Sequence, residues 1–203
     1  MSENKNQFVL PGDTISGSYE PAQNVILDDN RLLSTAIGFC EINDNEASVS
    51  ALTGFYIPRS DDLVIGKITS HSAMSWEVDI NSCYSGMLPA TDVFGRDFSS
   101  HSDDLTAKLS YGDRIVTRNV NADKTRDPLL TISGRELGKI DSGELVTISP
   151  SKVARLIGKR GSMIQMIESG SNAQITIGQN GLIVVACDDS DGLLKAVKAV
   201  ELS

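Results

Sequence analysis

Gly158-Lys159-Arg160-Gly161 sets two cations between two glycines. Glycines let a backbone approach a sugar-phosphate chain closely. Apolar residues recur at helical spacing on both sides: Val153, Ala154, Leu156 and Ile157 before the loop, Met163, Ile164, Met166 and Ile167 after it. The second helix therefore starts at the loop, where its unpaired N–H groups and dipole favour an anion. A structural turn between helices needs one helix-ending glycine at most. The bracketed cations thus read as a phosphate clamp.

Other chemistry is sparse. Asp28-Asp29, Asp61-Asp62, Asp103-Asp104 and Asp188-Asp189 lie in turn-like contexts, where adjacent carboxylates are usually solvated. A nuclease would need converging carboxylates for metal ions or a His-based constellation. His71 and His101 are isolated, and Cys40, Cys83 and Cys187 lack any CxxC spacing. Zinc needs about four clustered ligands. No catalytic residue, metal or cofactor is expected, and the cysteines read as reduced, partly buried thiols.

The clamp needs elements to hold it. Residues 145–148 form a strand ending before Pro150, two helices flank the loop, strands at 174–177 and 182–185 surround Asn180-Gly181, and 193–202 is an amphipathic helix. Asn-Gly is a strong hairpin turn. The order is β-α-α-β-β-α. Upstream, residues 75–80 alternate apolar with polar or acidic side chains, the period of a half-buried strand. Further strands at 64–70, 85–89, 114–121 and 129–133, with a polar insertion after the third, match a five-stranded OB barrel. Short β-type runs at 8–10, 34–42 and 47–52, separated by turn clusters such as Asn43-Asp44-Asn45, make the first block all-β.

The chain has 203 residues and a net charge of −9. Its first 142 residues carry 12 cations against 21 anions, and the remainder carries six of each. Nucleic-acid binding by bulk positive charge is excluded, so any basic surface is local. No apolar run is long enough to span a membrane, and residues 1–7 lack a secretory pattern. A cytoplasmic protein is expected.

The C-terminal order, with Ile157-Gly158-Lys159-Arg160-Gly161 between its first two helices, resembles the type-I KH domain. That resemblance implies a loop clamping a short RNA backbone beside an apolar groove for bases. Gly158, Lys159, Arg160 and Gly161 would be the clamp; Arg155, Ile157, Met163 and Ile164 would line the groove. A loop recruited to protein packing is the alternative. Val64-Ile65-Gly66-Lys67-Ile68, Trp76-Glu77-Val78-Asp79-Ile80, Gly86-Met87-Leu88-Pro89 and Tyr111-Gly112-Asp113 resemble the RNA-binding domain named after ribosomal protein S1. Such barrels bind single strands on one face with aromatics and cations. The candidates are Lys67, Trp76, Tyr84, Phe94, Arg96, Arg114 and Arg118, with Trp76 either stacking a base or covering the barrel.

The series of blocks (a β domain at 1–59, an S1-type domain at 60–138, a KH domain at 143–203) is similar to RNA-binding cap subunits of the archaeal exosome, of the ribosomal-RNA-processing-protein-four type. Val9-Leu10-Pro11-Gly12-Asp13, Tyr56-Ile57-Pro58 and Tyr84-Ser85-Gly86 also follow that family. The resemblance implies a non-catalytic subunit of a homotrimeric or mixed cap. It would sit on a hexameric phosphorolytic ring of RNase PH-type subunits and gather single-stranded, A-rich 3′ ends. A free-standing RNA chaperone is the second reading and a nuclease the third. The barrel block, with 8 cations against 11 anions between Asp61 and Arg135, departs from a strongly basic RNA binder.

Overall fold

The computed structural model describes residues 7–43, 45–95, 98–99, 104–121 and 126–203. The chain divides into two compact units, 1–54 and 55–203. Unit 1 is all-β. Its strands are β1 Gln7–Val9, β2 Thr14–Ile15, β3 Glu20–Pro21, β4 Val25–Asp28, β5 Arg31–Ser34, β6 Gly38–Asn43 and β7 Glu46–Ala51. They form two sheets, ordered β1-β6-β7-β3 and β2-β5-β4. Val9, Ile15, Leu32, Cys40 and Val49 build the core between turn clusters.

Unit 2 begins with the barrel. Its elements are β8 Leu63–His71, β9 Ser75–Asp79, β10 Ser85–Pro89, helix α1 Ala90–Phe94, β11 Arg114–Asn121, β12 Leu129–Thr131 and β13 Gly138–Lys139. The order β12-β10-β9-β8-β11 closes because β12 also pairs with β11, and β13 flanks β11. Alternation sends Trp76 and Val78 inward, where they meet Ile68, Ile80, Leu88, Ile115 and Leu130. Trp76 is 0% exposed. Its indole N–H donates to the Leu109 carbonyl at 3.0 Å, and its ring stacks on Phe94 with centroids 6.2 Å apart. Neither face of Trp76 is free for a base, so of its two readings the barrel-covering one holds; Phe94, only half-buried, packs against that core. Cys83 is a correction: it is exposed, whereas Cys40 is buried.

The C-terminal part runs β14 Glu144–Thr147, α2 Val153–Ile157, α3 Ser162–Ser171, β15 Gln174–Ile177, β16 Leu182–Ala186 and α4 Ser190–Leu202. This is the βααββα order, with the sheet ordered β14-β16-β15. Val146, Ile183 and Val185 pack with Leu156, Ala196 and Val200 in the core. Val184 faces the opposite side by alternation, yet it is also buried.

That second buried face is the joint with the barrel. β15 and β16 lie against β8. Ile65 and Val116 are opposite one another on the barrel's outer face, and both are buried. The β15–β16 turn locks the joint. Asn180 is 0% exposed. Its Nδ2 donates to the carbonyls of Ile65 (2.7 Å) and Ile80 (2.8 Å), and its Oδ1 accepts from the Ile65 N–H at 3.3 Å. The Asn180 carbonyl accepts from Asn81 Nδ2 at 2.9 Å, and the Gln179 N–H donates to the Leu63 carbonyl at 2.7 Å. Gly178 permits this approach, since a Cβ there would stand 2.3 Å from Asn180 Oδ1 and 2.9 Å from the Ile65 nitrogen. A sequence-level turn residue thus satisfies the main chain of two barrel strands.

A second polar knot fixes the entry to β8. The Tyr56 hydroxyl donates to Asp62 at 2.7 Å and accepts from Asn119 Nδ2 at 2.9 Å. Burial, followed by the Asp62 hydrogen bond, pushes the Tyr56 phenol well above its ordinary value.

Two outcomes follow from these contacts. Asn180→Ala leaves buried backbone groups of Ile65 and Ile80 unsatisfied, so urea denaturation should show a loss of about 2–4 kcal/mol. Asn180→Asp should also destabilise, because a carboxylate cannot donate to the two carbonyls; wild-type stability in both variants would remove the latch from the account. The emission of Trp76, the chain's single tryptophan, should keep its position and intensity under saturating single-stranded RNA. Strong quenching without unfolding would show that a base reaches the ring.

Candidate nucleic-acid interface

The loop Gly158–Gly161 joins α2 to α3 with three positive φ angles: Gly158 at 71°, Arg160 at 55° and Gly161 at 78°. Gly158 has a steric reason as well, because a Cβ there would approach Met163 Cβ to 2.8 Å and its backbone nitrogen to 3.0 Å. Arg160 takes a left-handed conformation that costs a non-glycine residue roughly 1 kcal/mol or more. Lys159 and Arg160 are exposed, and α3 follows its N-cap Gly161 with no side-chain cap. The first N–H groups of α3 therefore open at the foot of a cationic loop, a geometry suited to a phosphate.

Arg155 and Met163 are exposed, and Ile157 and Ile164 half-buried, on the two helices that flank this loop. Ala154 is exposed on the same short helix. A partly open apolar surface thus adjoins the cations. Within this chain the loop that packs on the barrel is a different one: Gln179 and Asn180, between Gly178 and Gly181, bond to it, while Lys159 and Arg160 are exposed.

The barrel candidates divide. Lys67 and Arg114 come together as directly opposed partners on β8 and β11. Arg118 is exposed, but its Nη1 donates to the Asp61 carbonyl at 2.9 Å, bracing a residue of positive φ. Tyr84 is half-buried, and its backbone N–H donates to Ser82 Oγ at 3.4 Å. Trp76 is internal, and Phe94 is half-buried against it. Arg96 lies outside the described residues. Asp113 accepts from Lys139 Nζ at 2.7 Å and from the Ser110 N–H at 2.9 Å. Those bonds hold its carboxyl below the ordinary carboxylate range, Lys139 having the larger effect.

Two residues carry more than sequence reasoning assigned them. Asn180 reads as half of an Asn-Gly turn, and its latch role had no local signal. Tyr111 reads as part of a Tyr-Gly-Asp turn, yet its ring is 78% exposed. A large aromatic in a polar turn, with no apolar neighbour in sequence to pack on, was the available signal. Among the described residues, no three His, Cys, Asp or Glu side chains converge as metal ligands, and no helix is long and apolar enough to cross a membrane.

Comparison with known proteins agrees with this architecture. The KH domain family matches residues 143–202. A protein of Nitrosopumilus maritimus named exosome complex component Rrp4 is 58% identical over 199 residues, spanning 98% of this chain and 88% of its own length. Its namesake in Thermosphaera aggregans is 38% identical over 209 residues, spanning 97% of this chain and 84% of its own. A crystal structure of a protein assigned as an exosome complex RNA-binding protein superposes with a TM-score of 0.70 at 42% identity, covering 73% of this chain and 85% of that one. With the β unit, the closed barrel and the βααββα domain in one series, and near-full-length identity of this order, the chain belongs to the Rrp4 family of exosome complex components.

Proposed function

We propose that the protein is a non-catalytic RNA-binding subunit of an exosome cap. In this reading three copies, or a mixture with a related subunit, sit on a hexameric ring of RNase PH-type subunits in the cytoplasm. The cap gathers single-stranded, A-rich 3′ ends and raises the efficiency of 3′-to-5′ degradation by the ring. Residues 1–59 anchor the subunit, while the barrel at 60–138 and the KH domain at 143–203 hold RNA.

The observation that carries the reading is the exposed Gly158-Lys159-Arg160-Gly161 loop at the uncapped start of α3. It offers a backbone clamp without base chemistry, as a subunit that feeds varied strands requires. The acidic total suits an assembly as well. Weak local sites joined on one ring gain effective concentration that a single acidic chain lacks. For anchoring, Phe8 and Phe39 form an exposed edge-to-face pair on the β1–β6 ladder, with centroids 5.8 Å apart. Exposed apolar clusters of this kind mark protein-docking surfaces.

The test replaces Lys159 and Arg160 by Asp in the full chain and reconstitutes it with ring subunits. The variant should co-elute with the ring, bind oligoadenylate at least about tenfold more weakly, and support slower degradation of it. Wild-type affinity and degradation would refute the loop's role. Independent elution of the wild-type chain from the ring would refute the cap and favour the chaperone.

A further inference from the structure

A second cationic site lies on the seam between barrel and KH sheet, away from the glycine loop. In the antiparallel register, Lys67 on β8 stands directly opposite Arg114 on β11. Like charges in that arrangement repel, and the pair is destabilising unless something negative lies between. Among the described residues, neither side chain has an ion pair or a hydrogen bond within the protein. Asp113, beside Arg114 in sequence, is already held by Lys139 at 2.7 Å. Asp79 stands across from Lys67 on the other neighbouring strand, where its Oδ1 accepts the Asn81 N–H at 2.9 Å. The local balance stays positive.

Both cations line a cleft of about 280 Å³. Ile65 and Gly112 of the barrel and Leu145 and Leu182 of the KH sheet form its other walls. This volume is close to the lower end of small-ligand sites, roughly 300 Å³, a fit for one nucleotide-scale group. Tyr111 adjoins Gly112 in the turn at the rim and is exposed. Opposed cations, apolar walls from two domains and a free aromatic make up the parts of a single-strand contact: charge for the backbone and a ring for a base.

We propose that this seam cleft is a second RNA subsite, in which Lys67 and Arg114 hold one phosphodiester between them and Tyr111 stacks an adjacent base. The proposal rests on the RNA-binding reading above. It adds a contact that neither domain forms alone, because the KH sheet supplies two of the walls.

The experiment uses the full chain and a fluorescein-labelled oligoadenylate, titrated over a range of salt. Lys67→Gln with Arg114→Gln should weaken binding and flatten the salt dependence by about 0.7 in the log–log slope, the value of one phosphate on a single strand. Tyr111→Ala, in an exposed turn that leaves the fold intact, should weaken binding about fivefold or more, and Tyr111→Phe should restore it. Wild-type affinity and slope in all the seam variants, with binding still weakened by the Lys159 and Arg160 substitutions, would overturn the seam site and leave the RNA-binding reading standing. Failure of the wild-type chain to bind the strand, both free and on the ring, would overturn both.

Discussion

The burial of Asn180 is the constraint on which the rest of unit 2 depends. A polar side chain at 0% exposure is tolerable only when its donors and acceptors are met. Here they are met by the main chain of two barrel strands, at Ile65 and Ile80. That one side chain fixes where the β15–β16 turn sits. The turn fixes the KH sheet, and the sheet buries the otherwise outward-facing Ile65 and Val116. The glycine loop takes no part in this joint, and its two cations are exposed.

Much of the architecture was legible from local signals. Strand periodicity across residues 75–80 gave β9, and Asn180-Gly181 gave the β15–β16 hairpin. The two glycines around Lys159 and Arg160 gave the helix–loop–helix. These signals are short-range: alternation, a breaker, a helix start. The face of a strand that meets another domain leaves no such mark. Ile65 falls on the barrel's outer face, and the docked sheet buries it. The same limit explains Trp76 and Tyr111. A lone tryptophan in an alternating strand fits both a core and a stacking platform, and the stacked Phe94 below it decides the matter. Tyr111 lies in a polar turn whose exposure follows from the barrel's closure.

The charge distribution acquires a reason once the geometry is known. The net charge of −9 is spread over a surface with small cationic islands, one at Lys159 and Arg160 and one at Lys67 and Arg114. A broad acidic field disfavours indiscriminate adsorption of nucleic acid. Islands of two cations hold a backbone only where shape also fits.

The latch also bears on the thermodynamics of binding. Two modules on a flexible tether must give up relative freedom when one ligand spans them, and that loss subtracts from affinity. Barrel and KH sheet have already surrendered this freedom during folding, through Asn180 and the hydrocarbon beneath it. A strand that touches both therefore meets a preorganised surface, and its binding entropy carries no charge for domain ordering. Excised halves, each regaining independent tumbling, would have affinities whose sum understates the intact chain.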